Sequence, residues 1–195
     1  VTIAIIDYGM GNLRSVEKGF EHAGVPDIVV TGDAAVVGAA DGIVLPGVGA
    51  FRDAAAHLRA SGLREVLLER VAAGVPFLGI CLGMQLLADI GLEDGEWEGL
   101  GIVPGVCERL QAGVKIPHIG WNTVAYPRES RLFADVPEDT AFYFVHSYHL
   151  RPADSSWVIG STHYGVDFAA AVGRGRVFAV QFHPEKSSAA GLRIL

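Results

Sequence analysis

The sequence contains little cysteine, and this shortage excludes whole classes of protein. Its two cysteines, Cys81 and Cys107, are too few for a disulfide framework in a chain of 195 residues. No Cys/His spacing resembles a zinc site, so we expect neither a bound metal nor a cofactor. We also expect a reducing, cytoplasmic compartment, in which free thiols persist.

Positive charge and long apolar runs are also scarce. Lys and Arg number 15 against 22 Asp and Glu, and the basic residues form no stripe that would neutralise phosphates. No apolar run approaches the roughly 20 residues that a membrane-spanning helix needs. The sequence therefore predicts a protein that binds neither nucleic acid nor membrane.

The first hundred residues have the pattern of an α/β protein. Half of the residues are hydrophobic, and the length suits one compact domain over residues 1–195. Helical patterns at 12–24 and 51–74, the second being one broken helix or two short ones, alternate with apolar segments. The segments that read as buried parallel strands are "TIAIID" (2–7), "DIVVT" (27–31), "GIVLPG" (42–47) and "PFLGIC" (76–81).

After about residue 100 the pattern changes to short strands closed by Gly, Pro, Asn and Asp turns. We predict that these strands extend the same sheet in a mixed or antiparallel arrangement. The stretch "SSAAGLRIL" (187–195) should begin a closing helix, capped by Ser187 or Ser188. The predicted fold class is α/β, with a mostly parallel central sheet flanked by helices and a mixed or antiparallel extension.

The stretch "GICLG" places Cys81 where a strand turns into a helix predicted over 82–90. Ligands bind at the carboxyl ends of parallel strands, and Gly-x-nucleophile-x-Gly is the pattern of a sharp strand–turn–helix elbow. The N-terminus of the helix would favour a thiolate, and the Leu82 N–H would supply one oxyanion donor. The alternative is a packed core cysteine, which is the role we assign to Cys107.

A second stretch, "VFAVQFHPEKS", ends an apolar strand in His183, Pro184 and Glu185. Residues i and i+2 of an extended chain point the same way, so Glu185 can accept a hydrogen bond from one His183 nitrogen. The other nitrogen would face a thiol, in a Cys-His-Glu version of the nucleophile–base–orienter arrangement. A surface histidine beside a turn proline is the ordinary alternative.

A third stretch, "LPGVGAF", follows another central strand. Gly47 and Gly49 allow the backbone to approach a ligand closely. We expect a second oxyanion donor here, with the Val48 N–H as first choice and Gly49 as second. A plain strand-to-helix turn is the alternative.

Together these motifs resemble the triad-type (class I) glutamine amidotransferases, whose flavodoxin-like fold agrees with the predicted sheet. The shared signature is Gly79-Ile-Cys81-Leu-Gly83-Met-Gln85 with a distant His183-Pro184-Glu185. Further segments narrow the resemblance to the glutaminase subunits of imidazole glycerol phosphate synthase. These are "DYGMGNLRSV" (7–16), "PGVG" (46–49), "KIPHIGWN" (115–122), "YFVHSY" (143–148) and "HPEKS" (183–187).

The resemblance implies a chemistry and a substrate site. Cys81 would attack the side-chain amide of glutamine, with His183 as acid and base and Glu185 orienting its ring. The predicted neighbours of the amino-acid end of the substrate are Gln85, Gly49, Glu93, Ser147 and Tyr148.

The resemblance also implies a partner that receives the ammonia. In this family the partner is a (β/α)₈-barrel cyclase, in an expected 1:1 heterodimer, which makes imidazole glycerol phosphate in histidine biosynthesis. Our interface candidates are Asn12, Trp121 and Lys186.

One departure from many relatives is Val48, where they have a second glycine after Pro46-Gly47. A β-branched residue restricts the backbone more than glycine does. We hypothesise that the 47–48 peptide rests turned away until a partner or nucleotide binds. Two other interpretations remain, another class I relative and a redox-sensing module in which Cys81 is an oxidisable thiol.

Overall fold

The computed structural model describes residues 1–111 and 113–195, and a seven-stranded sheet lies at its centre. The strands are, in chain order, β1 (Ile3–Ile6), β2 (Ile28–Thr31), β3 (Gly42–Leu45), β4 (Phe77–Ile80), β5 (Ile90–Gly91), β6 (Trp97–Glu98), β7 (Gly105–Arg109), β8 (His118–Thr123), β9 (Ala141–His146), β10 (Tyr148–Pro152), β11 (Val158–Tyr164), β12 (Val166–Arg174) and β13 (Val177–Val180). The central sheet has the order β11-β12-β13-β4-β3-β1-β2. Its strands from β13 to β2 pair in parallel. At the other edge, β12 pairs antiparallel with β13, and β11 pairs antiparallel with β12.

Helices cover both faces of this sheet because its central strands are apolar on both sides. Along β1, Ala4 and Ile6 belong to one buried cluster, whereas Ile5 belongs to the other. The helices are α1 (Leu13–His22), α2 (Ala34–Ala39), α3 (Phe51–Ala60), α4 (Leu63–Ala72), α5 (Leu82–Gln85) and α6 (Ser188–Ile194). Buried side chains of α2, α3 and α4 pack in the first cluster, and those of α1 and α6 pack in the second. The α/β fold class predicted from the sequence is confirmed.

The boundaries of α1, α3 and α4 follow the sequence signals closely, whereas α2 was not predicted. Asn12 caps α1 by accepting a hydrogen bond from the Ser15 N–H, and Gly24 follows the helix at φ +87°. The 51–74 pattern is two helices, α3 and α4, separated at Gly62, whose φ of +72° interrupts the helical path. Of the two arrangements left open by the sequence, the structure has the pair of short helices.

The later strands do not all extend the central sheet, and this part of the prediction is wrong. Only β11, β12 and β13 join it, whereas the others form a four-stranded sheet, β10-β7-β5-β6, and a two-stranded sheet, β8-β9. The chain passes from one small sheet to the other within a single residue, Ser147, between β9 and β10. Sequence alternation identifies a strand but not its pairing partner, which depends on packing.

The helix predicted over 82–90 is also shorter than expected, since α5 ends at Gln85. The chain segment at 100–103 donates backbone hydrogen bonds to the carbonyls of Leu86, Leu87 and Ala88. Those interactions replace continued helical bonding, and the chain enters β5 at Ile90. At the other end of the chain, Ser187 precedes α6, but its hydroxyl donates to the His183 carbonyl instead of capping the helix.

Candidate active site

A cleft of about 260 Å³ opens at the carboxyl ends of β3, β4 and β13. Its lining residues are Val48, Gly49, Cys81, Leu82, Gln85, Glu93, Val145, His146, Ser147, Tyr148, His183 and Lys186. The structure thus brings the three stretches singled out in the sequence to one place. A larger cavity of about 350 Å³ includes Phe77 and Leu78 in its lining, and no cysteine or histidine is among its lining residues.

Cys81 lies on the sharp turn between β4 and α5, with φ 55° and ψ −109°. This is an uncommon conformation for a residue with a side chain, and such strain concentrates at functional sites. A Cβ on Gly79 would lie 2.9 Å from the Gly83 carbonyl oxygen, and one on Gly83 would overlap the Leu45 carbonyl oxygen. The two glycines of the elbow are therefore required by close packing of the backbone.

His183 and Glu185 form a buried pair beside this turn. The His183 Nδ1 lies 2.9 Å from the Glu185 Oε1, and the two side chains are 5% and 2% exposed. Because a carboxylate only accepts hydrogen bonds, Nδ1 carries the proton in this contact. The backbone N–H of His183 donates to the Tyr143 carbonyl, which fixes the residue at the end of its strand. The Nε2 atom takes no part in this contact, and Cys81 is the other neighbour that affects the ring.

The charges around His183 determine its protonation. Burial lowers its pKa, but the neighbouring Cys81 and Glu185 side chains outweigh that effect and raise the pKa above its ordinary value, to about 9. At neutral pH the ring is therefore protonated. A protonated imidazole next to a cysteine is the acid that a leaving amine requires.

The oxyanion region differs from the sequence expectation at Leu82. Its N–H, predicted to point into the site, instead donates a long 3.4 Å hydrogen bond to the Gly47 carbonyl. The Tyr8 hydroxyl donates a 2.8 Å hydrogen bond to the carbonyl of Pro46, the preceding residue. Val48 is 43% exposed, and Gly49 has φ +112°. In this arrangement the 47–48 peptide turns its carbonyl, and not its N–H, toward Leu82.

The predicted substrate residues surround the other side of the cleft. Gln85 donates its side-chain amide to the Tyr148 carbonyl at 2.8 Å and to the Gln181 side chain at 3.1 Å. Both of its N–H groups are then used, which leaves its oxygen as the free end. The Glu93 carboxylate accepts from the Phe51 N–H at 2.7 Å, at the N-terminus of α3. These groups place acceptors next to the cleft.

Comparison with known proteins identifies the family. The family model "Glutamine amidotransferase class-I" matches residues 4–194. This chain belongs to the class-I glutamine amidotransferases. The imidazole glycerol phosphate synthase subunit HisH of Moorella thermoacetica is 52% identical over 193 residues, which cover 99% of this chain and 91% of the relative. The HisH subunit of Geobacter metallireducens is 49% identical and covers 100% and 95%. The resemblance expected from the sequence is confirmed.

Solved structures with low sequence identity have the same fold. A crystal structure of a glutamine amidotransferase superposes with a TM-score of 0.78 at 18% identity, covering 98% of this chain and 95% of that one. PurLQS from Thermotoga maritima superposes with a TM-score of 0.76 at 20% identity, covering 99% and 94%. At such identities the likeness shows the class-I amidotransferase fold alone.

Two further buried residues of this class-I amidotransferase lie at the site, His146 in the cleft lining and Gln181 beside Cys81. The His146 Nδ1 lies 2.8 Å from the Tyr148 carbonyl, and its Nε2 lies 2.9 Å from the His118 Nδ1. Burial lowers the pKa of His146 to about 3, so the ring is neutral and can donate at Nδ1 while accepting at Nε2. Gln181 lies two residues before His183, a spacing that could have identified it.

The three interface candidates lie in different environments. Lys186 lines the cleft itself, whereas Trp121 is 55% exposed and packs edge-on against Tyr143 with ring centroids 5.9 Å apart. Asn12 is exposed and shares a second cavity with Glu185. Tyr143 connects this surface to the site, because its carbonyl accepts the His183 N–H.

Cys107 is buried in β7 and is not among the cleft-lining residues. Its side chain is 1% exposed, and burial raises the pKa of its thiol. Within residues 1–111 and 113–195, no cluster of His, Cys, Asp or Glu is placed to hold a metal ion. Over the same residues, no helix combines the length and apolar character needed to cross a membrane.

Proposed function

We propose that this chain hydrolyses L-glutamine to glutamate and ammonia, as the glutaminase subunit of imidazole glycerol phosphate synthase in histidine biosynthesis. The observation that carries the proposal is the buried Cys81–His183–Glu185 arrangement at a strained strand–helix turn. It is supported by about 50% identity to HisH subunits over nearly the full chain.

In the first half of the reaction the Cys81 thiolate attacks the side-chain carbonyl carbon of glutamine. The C–N bond breaks, the His183 Nε2 proton passes to the departing nitrogen, and ammonia leaves behind a γ-glutamyl thioester. In the second half neutral His183 takes a proton from water, whose oxygen attacks the thioester carbon. The C–S bond breaks, glutamate leaves, and the thiolate–imidazolium pair is restored. Glu185 keeps the ring in the required tautomer.

The substrate would be held by its amino-acid end on the side of the cleft opposite His183. The free Gln85 oxygen and the Glu93 carboxylate are acceptors that suit an α-ammonium group. Backbone groups of Gly49, Ser147 and Tyr148 complete the wall and would hold the α-carboxylate.

The oxyanion hole would form only when the 47–48 peptide rotates. Rotation would release the Leu82 N–H from the Gly47 carbonyl and turn the Val48 N–H inward, with the Gly49 N–H as the next donor along the chain. The hydrogen bond from the Leu82 N–H to the Gly47 carbonyl is 3.4 Å long and therefore weak, so breaking it on rotation costs little free energy. Such a change would couple glutamine hydrolysis to an event outside the cleft.

That event would be binding to a second subunit. Free ammonia is protonated in water and then loses its nucleophilicity, so a glutaminase needs a partner that receives ammonia directly. We propose a (β/α)₈-barrel cyclase in a 1:1 heterodimer, with Asn12, Trp121 and Lys186 at the interface. Ile119, 59% exposed and two residues before Trp121 on β8, would enlarge the apolar contact.

We further propose that residues 1–195 form a single amidotransferase domain, since both buried clusters pack on one central sheet. A cytoplasmic location would keep the Cys81 thiol reduced and reactive.

The test is co-purification with the candidate cyclase, followed by glutamine hydrolysis with and without the cyclase's nucleotide substrate. We expect hydrolysis by the complex, faster with the nucleotide, and loss of activity in Cys81→Ala and His183→Ala. Full activity in Cys81→Ala would overturn the proposal. Equal rates for the isolated chain and the nucleotide-bound complex would overturn its gating.

A further inference from the structure

We propose that Gln181 is a further residue of the glutaminase reaction, whose side-chain amide donates a hydrogen bond to the Cys81 sulfur and stabilises it as a thiolate. This inference rests on the proposed function and adds a second donor to the sulfur besides His183. The Gln181 Nε2 lies 3.6 Å from the Cys81 Sγ, and the Gln181 side chain is completely buried.

The register of two neighbouring strands places Gln181 beside Cys81. Strands β13 and β4 are parallel, with Val180 opposite Ile80, so the residues that follow the two strands are adjacent. The Cys81 N–H donates to the Val180 carbonyl at 2.8 Å, which ties the two strand ends together. Gln181 and His183 are two residues apart just after the end of β13, and both side chains lie close to Cys81. The sulfur can thus be approached by both side chains.

The hydrogen-bond network determines which end of the Gln181 amide faces the sulfur. The Tyr148 carbonyl only accepts, so the Gln85 atom 2.8 Å from it is the amide nitrogen. The same nitrogen makes the 3.1 Å contact to Gln181, which must therefore present its oxygen there. Its nitrogen is left to point at the Cys81 sulfur. The Tyr148 carbonyl thus determines, through Gln85, that Gln181 donates its N–H to the Cys81 sulfur.

Burial gives this contact its energetic weight. A buried amide is unfavourable unless it is hydrogen-bonded, and hydrogen bonds to charged groups are stronger than those between neutral groups. A thiolate accepts such a bond better than a thiol does, so the Gln181 N–H favours the reactive form of Cys81. When Cys81 is a thiol, its proton can be donated to the Val145 carbonyl, 3.8 Å from the sulfur.

The network also connects the sulfur to the substrate side of the cleft. Gln85 bridges the Tyr148 carbonyl and the Gln181 oxygen, and His146 donates to the same Tyr148 carbonyl. A substrate bound at the free Gln85 oxygen is therefore separated from the nucleophile by two side-chain amides.

The test measures iodoacetamide alkylation of Cys81 against pH in the full chain, with the adduct assigned to Cys81 by mass spectrometry. Gln181→Met keeps the length of the side chain but removes the donor. We expect its half-maximal alkylation to move upward by about one pH unit, which corresponds to a loss of about tenfold in thiolate. Gln181→Glu places a carboxylate beside the sulfur and should move the pH of half-maximal alkylation further upward. In the complex with the partner subunit, kcat for glutamine should fall about tenfold while KM changes little.

The matched control is Phe182→Leu, which loosens the ring stack with Phe142 without touching the sulfur. It should lower the melting temperature and leave the pH dependence of alkylation unchanged. The inference is overturned if Gln181→Met or Gln181→Glu alkylates like the wild type with unchanged kcat, or if Phe182→Leu shifts the profile equally. Absence of glutamine hydrolysis by the wild-type complex would instead overturn the proposed function, and alkylation would still report on Gln181.

Discussion

At the scale of single residues, the two ring nitrogens of His183 have different neighbours. Its Nδ1 is committed to the Glu185 carboxylate, so proton exchange with substrate and water is left to Nε2. The same two neighbours, Cys81 and Glu185, raise the pKa of the ring against the opposing effect of burial. One histidine can therefore act first as an acid and later as a base without changing its orientation.

The raised pKa of His183 predicts how glutamine hydrolysis falls at alkaline pH. Because the pKa of His183 is raised to about 9, the acid needed for ammonia departure persists through neutral pH and is lost as the pH rises above about 9. We expect kcat/KM for glutamine to fall there, and Glu185→Gln, which removes a charge that raises the pKa, to move the fall to lower pH. The measurement is the pH profile of glutamine hydrolysis by the wild-type complex and by the Glu185→Gln complex. A wild-type fall centred near the ordinary histidine value of about 6.5 would contradict this account.

At the scale of elements, the site depends on how closely β3, β4 and α5 approach one another. The absence of a side chain at Gly83 lets the start of α5 lie against the Leu45 carbonyl at the end of β3. The close approach holds Cys81 at the carboxyl edge of the sheet, next to the residues that follow β13.

Gly83→Ala is therefore expected to destabilise the protein. Its Cβ would overlap a backbone oxygen that cannot move like a side chain, and overpacking of this kind costs about 1–3 kcal/mol or more. The control is Gly38→Ala in α2, where the nearest atom is 4.0 Å away and alanine favours the helix by roughly 0.5–1 kcal/mol. Thermal melts should show a lower midpoint for Gly83→Ala and an equal or higher one for Gly38→Ala. Equal midpoints for the two variants would show that the elbow is not tightly packed.

A second prediction at this scale concerns the 46–49 segment. Val48→Gly removes the β-branched side chain that restricts the 47–48 peptide and should raise nucleotide-independent glutamine hydrolysis by the complex roughly threefold or more. Hydrolysis in the presence of the nucleotide should change less, because the rotated peptide is then already favoured. The ratio of the two rates is the measured quantity. A ratio unchanged from the wild type would mean that Val48 does not restrain this segment.

How much of these elements could be predicted depends on how local their causes are. The strands β1 to β4 and the helix α1 follow from apolar runs and from Asn12 and Gly24, which act within a few residues. The strands from β7 to β10 lie in two small sheets apart from the central one, and α5 ends early. Both features depend on contacts between distant segments, such as Leu100 with Leu86, and neither was predicted.

The same distinction applies to the site. The residues Cys81, His183 and Glu185 were predicted because a spacing or a turn pattern marks each of them. A turned-away 47–48 peptide was hypothesised from the β-branched Val48, but the Leu82 N–H was expected to point into the site. Its bond to the Gly47 carbonyl was not foreseen, because it joins segments that are distant in the sequence. Gln181 had a signal in its spacing from His183, but its role requires the register between β13 and β4.

At the scale of the whole molecule, the chain exposes apolar side chains on β8 that its own core does not use. Ile119 and Trp121 are more than half exposed, and Tyr143 links Trp121 to the backbone of His183. A partner that covers this surface would therefore contact the framework of the triad. The position suits a subunit that both receives ammonia and controls its release.

Trp121→Ala should weaken association with the proposed cyclase partner, because buried aromatic residues dominate interface energies and their truncation commonly costs about 2 kcal/mol or more. Titration calorimetry should show a Kd increased by roughly thirtyfold, with the melting temperature of the isolated chain nearly unchanged. Val36→Ala on α2, another exposed apolar position, is the control and should leave the Kd unchanged. An unchanged Kd for Trp121→Ala would exclude this surface as the interface.

The most direct test of the whole account is to trap the thioester. The complex is mixed with glutamine and nucleotide, quenched in acid during turnover, digested and examined by mass spectrometry. We expect a γ-glutamyl group on the Cys81 peptide of the wild type and none on Cys107, with no adduct and no hydrolysis in Cys81→Ala. Glutamine hydrolysis at the wild-type rate by Cys81→Ala would contradict it.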